Sequence, residues 1–269
     1  MSSQVISTEN SSFEKILRSA MELPGIKINR VEFLEKELSK YFDSDTVSKA
    51  ISTNPAQAGL TPSDIERIAN ACITYETAKV TAISAGAGLA GGIAMAVTIP
   101  ADTAQLFGHV LRILQKLAYL YGWPEIFRGE NKSLDDETNN QIILFIGAMF
   151  GVGAANTAIS KIATLAALNV PKRLMRQALT KKAIYQIVKK ISFAVGAKMT
   201  KAAFTKTVGK IIPVIGAAAS AGITFAIFKP MAKRLKNYLA ILPTADIEFY
   251  RNSQNTIDVI DIDFNDECE

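Results

Sequence analysis

The chain has 269 residues, 49% of them hydrophobic and 20% charged, with a net charge of +5. That composition excludes a disordered, collagen-like or disulfide-scaffolded chain, and the length suits one large domain or two small ones. Two cysteines 196 positions apart and a single histidine, His109, leave no CxxC motif, zinc knuckle or two-histidine metal site, so no metal and no other cofactor is expected.

Residues 1–10 are polar, with neither a basic start nor an apolar run, so no signal peptide is read there and a cytoplasmic location is expected. Ser11 and Glu14 have capping-box spacing and open a short helix to about Glu22, stopped by Leu23-Pro24-Gly25. Asn29 with Glu32 repeats the signal for a helix to about Tyr41, and Asp45 caps a further short turn. Asn54–Gly59 reads as a loop. Thr61-Pro62-Ser63-Asp64 combines a cap, a proline at the first helical position and an acid in the first turn. The predicted helix runs through Tyr75 into a glycine-rich stretch, where Pro100 ends or kinks it.

Pro100-Ala101-Asp102 opens the strongest amphipathic segment. Leu106, Val110, Ile113, Leu114, Leu117 and Tyr121 form its apolar face, and Asp102, Gln105, His109, Arg112 and Lys116 its polar one. Gly122-Trp123-Pro124 closes it, and Leu134–Asn140 is a polar loop or helix start. Further on, Ile184, Ile187, Val188, Ile191 and Val195 share a face, with Lys182, Gln186, Lys189 and Lys190 opposite and Phe193 among them. Lysines beside an aromatic suit a headgroup layer, or an ordinary surface helix. Lys229-Pro230 marks a kink, and Lys233, Arg234 and Lys236 place basic side chains at the end of the final helix. No strand pattern occurs before residue 255. The predicted class is all-α, with one helical domain over 11–240, a loose N-terminus 1–10, an acidic tail 241–269 and a buried Gly/Ala-rich apolar hairpin.

The charge is segregated. Residues 1–137 are net −4, residues 138–245 hold 16 Lys/Arg and no acid, and residues 246–269 are net −7. An acid-free basic block attracts polyanions, either phospholipid headgroups or nucleic acid, unless the acidic ends balance it within the fold. Its residues Lys172, Arg173, Arg176, Lys181, Lys182, Lys189 and Lys190 are the candidate membrane- or anion-binding set. Three stretches carry no charge at all: Val80–Ala101, Thr138–Ser160 and Ile211–Phe228. As helices each would reach roughly 27–35 Å, about the thickness of a bilayer core. They are rich in Gly, Ala, Ser and Thr, which gain little from lipid. Gly88/Gly92 and Gly147/Gly151 have the GxxxG spacing of close helix contact. A buried hairpin, conditional insertion and permanent spanning all remain open.

Gly86-Ala-Gly88-Leu-Ala-Gly91 matches GxGxxG, but inside a helical stretch it lacks the preceding strand that nucleotide binding needs. Asp261–Asp266 mimics the opening of a calcium loop whose twelfth position falls beyond the sequence. Asp102 lies seven residues from His109, about 10 Å along a helix, so a base-orienting partner for the histidine would have to come from another helix. His109 is therefore read as a polar-face residue without further role, and Asp102 as an acid complementing a helix N-terminus. No residue is assigned as catalytic.

Leu23-Pro-Gly-Ile, the small-residue helix 86–96, Ile99-Pro-Ala-Asp102, Arg112 and Ala118-Tyr-Leu-Tyr121-Gly122 together resemble the EcsC family. So does Lys210-Ile-Ile-Pro213-Val-Ile-Gly216-Ala-Ala-Ala-Ser-Ala-Gly222 with the basic residues after it. The resemblance covers roughly residues 12–237, and the two proline-containing blocks are its most specific parts. It departs at the polar insertion around 52–64, at Gly122-Trp123-Pro124 and at the acidic tail. The family is named for a protein encoded beside an ABC transporter. The resemblance implies a helical, membrane-associated bacterial protein, and marks Pro100, Asp102, Arg112, Tyr121, Gly122, Pro213 and Gly216 as positions of interest, with packing roles for the glycines and prolines.

The functional expectation is a non-enzymatic protein at the inner face of a membrane, peripheral or conditionally inserted, binding anionic lipid or a membrane transport complex. A membrane-perturbing, pore-forming toxin or defence effector is the alternative, and an enzyme on a lipid-like substrate using Asp102 and His109 the next. Nucleic acid ranks below these, because the basic block has no evident recognition motif.

Overall fold

The computed structural model describes residues 13, 15–89, 95–127, 135–168, 170, 186–187, 189–190 and 216–253, with side chains outside 84–103 and 216–224. The architecture is all-α. Helix α1 (15–22) ends at the Leu23-Pro24-Gly25 turn. Helix α2 (Arg30–Leu38) starts where expected, with the Asn29 side chain accepting from the Glu32 amide, but stops three residues earlier. The next cap is Asp43 rather than Asp45. It accepts from the Thr46 amide at 2.9 Å and opens a nine-residue helix, α3 (Ser44–Ser52), not a single turn.

Two long helices dominate the centre: α4 (Pro62–Leu89) and α5 (Met95–Leu120). α4 begins at the Thr61-Pro62 signal, with Thr61 Oγ1 accepting from the Asp64 amide. It does not continue to Pro100. α5 starts five residues before that proline, which sits within its first two turns. α5 ends in a Schellman motif: the Trp123 amide returns to Ala118 O at 3.0 Å and the Gly122 amide to Tyr119 O at 3.3 Å. Gly122 takes φ +87°, and a Cβ there would collide with the carbonyl oxygen of Thr244.

Thr138–Ser160 is not one helix. The same motif breaks it at Gly151 (φ +74°), with the Val152 amide bonded to Gly147 O. The result is a hairpin of α6 (Asp136–Met149) and α7 (Gly153–Ala167). At 1.5 Å per residue these reach about 21 and 23 Å, well short of a bilayer core of about 30 Å. Gly147 and Gly151 therefore straddle a turn and form no GxxxG contact. Val80–Ala101 is likewise divided between the end of α4 and the start of α5, and residues 216–228 of the third stretch belong to α8 (Gly216–Leu239). Among the described residues no helix is long and apolar enough to cross a membrane.

α8 runs antiparallel to α4 and makes the broadest contact among the described helices: Ala240 comes level with Pro62, and Lys236 bonds Glu66 and Asn70. Pro230 lies inside α8, which continues through it. Arg234 Nη1 donates to Met149 O at 2.6 Å, so it closes the end of α6 rather than of its own helix. A 3-10 turn (Pro243–Ala245) and a short α9 (Ile247–Ser253) follow. Leu242, Thr244, Ala245 and Tyr250 are buried, which carries the packed body ten residues past position 240.

One main core joins α1 to α8, and a small second cluster of Ala56, Ala167 and Tyr250 seats α9. Phe13 stacks edge-on against Phe107 at 5.8 Å and Trp123 against Phe145 at 4.9 Å. Arg30 fastens the N-terminal helices from inside. Its buried guanidinium donates to the carbonyls of Trp123, Ile51, Ala50 and Thr53, satisfying the open end of α3.

Candidate functional site

The apolar stripe of α4 runs Ile65, Ile68, Ala69, Cys72, Ile73, then Glu76 and Thr77, then Val80, all buried. Glu76 is the one acid on that stripe and is 0% exposed. Opposite it, His109, Arg112 and Lys116 stand at i, i+3 and i+7 on α5, a spacing that puts them on one helix face. Lys116 Nζ lies 2.7 Å from Glu76 Oε1, Arg112 Nε 3.3 Å from the same oxygen, and His109 Nδ1 3.0 Å from Oε2. An ionised carboxylate only accepts, so the histidine donates from Nδ1. Burial alone would push the Glu76 carboxyl up. The hydrogen bonds from His109 and Lys116, with the charges of Lys116 and Arg112, outweigh it and hold the group at about 2.

This corrects the amphipathic reading of α5. Gln105 is exposed, but His109 (8%) and Lys116 (7%) are buried, and Arg112 is only partly exposed. The face read as polar is an interior seam that receives the N-terminal segment. Arg112 Nη1 donates to Gly25 O. Gln115 donates to Ile26 O at 2.8 Å and accepts from the Ile28 amide at 2.8 Å. Lys116 also sits 5.3 Å from the Tyr75 ring centre and 5.9 Å from that of Phe33. His109 thus has the orienting carboxylate that must come from another helix, and it is a buried hydrogen-bond partner of Glu76 rather than a surface group without role. Among the described residues no Ser, Thr or Cys is hydrogen-bonded to it. Cys72, on the same stripe, has its thiol pushed up to about 12 by burial, which makes it inert.

The marked family positions divide. Arg112 belongs to the ion cluster. Tyr121 and Gly122 end α5, and Gly216 is the first described residue of α8. Pro100 and Asp102 lie in the first turns of α5, their side chains outside the described set, and Pro213 lies outside the described residues. Tyr121 lines a cavity of about 250 Å³ with Pro62, Ile65, Glu66, Lys236 and Ala240. Its hydroxyl is sealed from solvent and has no hydrogen-bond partner among the described residues. Burial, reinforced by the Glu66 charge, pushes this phenol up, so it stays protonated. Lys236, 6% exposed, spans the cavity wall, 2.5 Å from Glu66 Oε1 and 3.2 Å from Asn70 Oδ1.

Of the candidate anion-binding set, Lys189 and Lys190 are helical and exposed, beside the buried Ile187. Lys172, Arg173, Arg176, Lys181 and Lys182 lie outside the described residues, as does the calcium-loop mimic. The structure adds Lys229, half-buried, and Lys233, exposed, on the outer side of α8. Glu76 was the residue that periodicity reasoning passed over, although an acid at a buried-stripe position was its signal. Among the described residues no cluster of three or more His, Cys, Asp or Glu is arranged to hold a metal.

Comparison with known proteins finds no matching family model, no matching curated protein and no matching solved structure.

Proposed function

We propose that this chain is a peripheral membrane protein that binds anionic lipid through its basic half, at the inner face of a membrane. The observation that carries the reading is the acid-free block, 16 Lys/Arg across residues 138–245; of its seven described members Lys189, Lys190, Lys233 and Arg234 are exposed, Lys161 and Lys229 half-buried, and Lys236 buried. Each basic side chain near an anionic leaflet is worth about 1 kcal/mol within a Debye length of roughly 8 Å, so five together supply about 5 kcal/mol. The EcsC-like motifs support a membrane setting and suggest a transport complex as a protein partner there.

Vesicle co-sedimentation tests it. Binding to phosphatidylserine-containing vesicles at low salt, release at high salt and little binding to neutral vesicles are expected. No binding to any vesicle refutes the reading. Removal of residues 254–269, which carry six acids and no base, is expected to strengthen binding by freeing the basic block. The cut belongs after residue 253 because Tyr250 is buried against Ala56 and Ala167.

The α4–α5 hairpin favours a second reading, a membrane-perturbing effector. The last ten residues of α4 (80–89) and the first seven of α5 (95–101) carry no charge, while the Glu76 cluster lies further along both helices from these ends. Retention on vesicles through a carbonate wash, with dye leakage, would support that reading over the first.

A further inference from the structure

α8 has two unlike sides. Phe228, Met231, Ala232, Leu235 and Leu239 face the core. The other side is open and carries no acid anywhere along the helix. At 100° per residue Phe225, Lys229 and Lys233 fall within about 80° of arc, and along the axis they span roughly 12 Å. Phe225 is 46% exposed, although a core position was available one turn on at Phe228. Lys229 Nζ rests 5.0 Å from the Phe225 ring centre, and among the described residues no carboxylate pairs with Lys229 or Lys233. The two other cations of the helix already have partners: Arg234, itself exposed, donates to Met149 O, and the buried Lys236 pairs with Glu66.

We infer that this outer face of α8 is the surface that lies on the bilayer, with the helix in the plane of the headgroups, Phe225 at the acyl boundary and Lys229 and Lys233 on lipid phosphates. The inference rests on the peripheral-binding reading and gives that reading a location. An aromatic flanked by lysines one and two turns along, on a helix anchored by its opposite face, is the arrangement that interfacial helices use. Charge complementarity selects an anionic surface. The aromatic favours a lipid surface over a nucleic-acid backbone, because a bilayer offers the ring an apolar layer beneath the phosphates that the lysines reach, and a DNA duplex does not.

The test compares the full-length protein with three variants on vesicles containing phosphatidylserine and on vesicles of phosphatidylcholine alone. Lys229→Ala/Lys233→Ala is expected to weaken binding about 30-fold, from two side chains each worth about 1 kcal/mol. Phe225→Ser is expected to weaken it about fivefold, roughly half the value of burying a whole phenylalanine. Lys36→Ala/Lys49→Ala removes the same charge from exposed sites on α2 and α3 and is expected to bind as the unmodified protein does. Lys233, Lys36 and Lys49 are exposed and Lys229 is half-buried, so matched thermal melts check that each variant is folded. If the unmodified protein binds and the α8 variants bind equally well, the location is wrong while peripheral binding stands. If the Lys36/Lys49 variant weakens as much, general charge rather than this face acts, and the inference falls. If the unmodified protein ignores vesicles, both readings fall. That includes the outcome in which it binds a DNA duplex through the same lysines instead.

Discussion

Replacing Glu76 by Gln is expected to lower stability at neutral pH by about 3 kcal/mol, and to matter less as the pH falls. The amide keeps the size of the side chain but strips the anion from a fully buried site that faces Lys116, Arg112 and His109. Removing one member of a buried pair costs roughly 3–5 kcal/mol, because the cations left behind are uncompensated. A second route gives a similar size. The carboxyl is held at about 2 against an ordinary 4.5, and at about 1.4 kcal/mol per pH unit that depression is worth about 3 kcal/mol. The folded-state value is the lower one, so the stabilisation is fully present above pH 4.5 and drains away as pH drops toward 2. For a chain this long 1 kcal/mol moves the midpoint by about 2–4 °C, which predicts a Tm some 6–12 °C lower at pH 7. Thermal melts followed by circular dichroism at pH 7, 5 and 3, for both proteins, read the effect. Equal midpoints at pH 7, or a gap that stays constant down to pH 3, would refute the reasoning.

Two more expectations follow from single side chains. Gly122→Ala adds a left-handed backbone penalty of about 1–2 kcal/mol to a collision with the Thr244 carbonyl, so a loss well above 2 kcal/mol in urea unfolding is expected, and a change under 1 kcal/mol would show that the 244 turn yields freely. Tyr121→Phe removes a buried hydroxyl without a hydrogen-bond partner among the described residues; it is expected to leave stability unchanged or raise it by up to about 1 kcal/mol, and a measured loss above that would mean the hydroxyl is bonded in solution.

What could be read from the sequence was local. Asn29, the Thr61-Pro62 pair and the glycines at 25 and 122 act within four or five residues of themselves, and each marks a boundary that the structure keeps. The all-α class followed from the same short-range signals. The polar seam of α5 was misread because periodicity sees only one helix at a time. His109, Arg112 and Lys116 look like a solvated face until Glu76, 33 to 40 residues upstream, is set against them. The break at Gly151 had a local signal, two glycines around one valine, but an unbroken run of uncharged residues outweighed it. Arg30 is a like case: its burial is explained only by carbonyls of two distant segments, the end of α3 and Trp123.

The pairing of distant segments also bears on how the chain is made. Phe13 is buried against Phe107, 94 residues later, and at roughly 5–20 residues per second its cover leaves the ribosome about 5–19 s after it does. Lys236 follows Glu66 by 170 residues, so the flank of α4 that α8 covers waits roughly 9–34 s. Through that interval a nascent chain ending before α8 presents one side of its longest helix uncovered, with Lys236 not yet available to pair with Glu66. Folding of the central hairpin is therefore tied to completion of the C-terminal third.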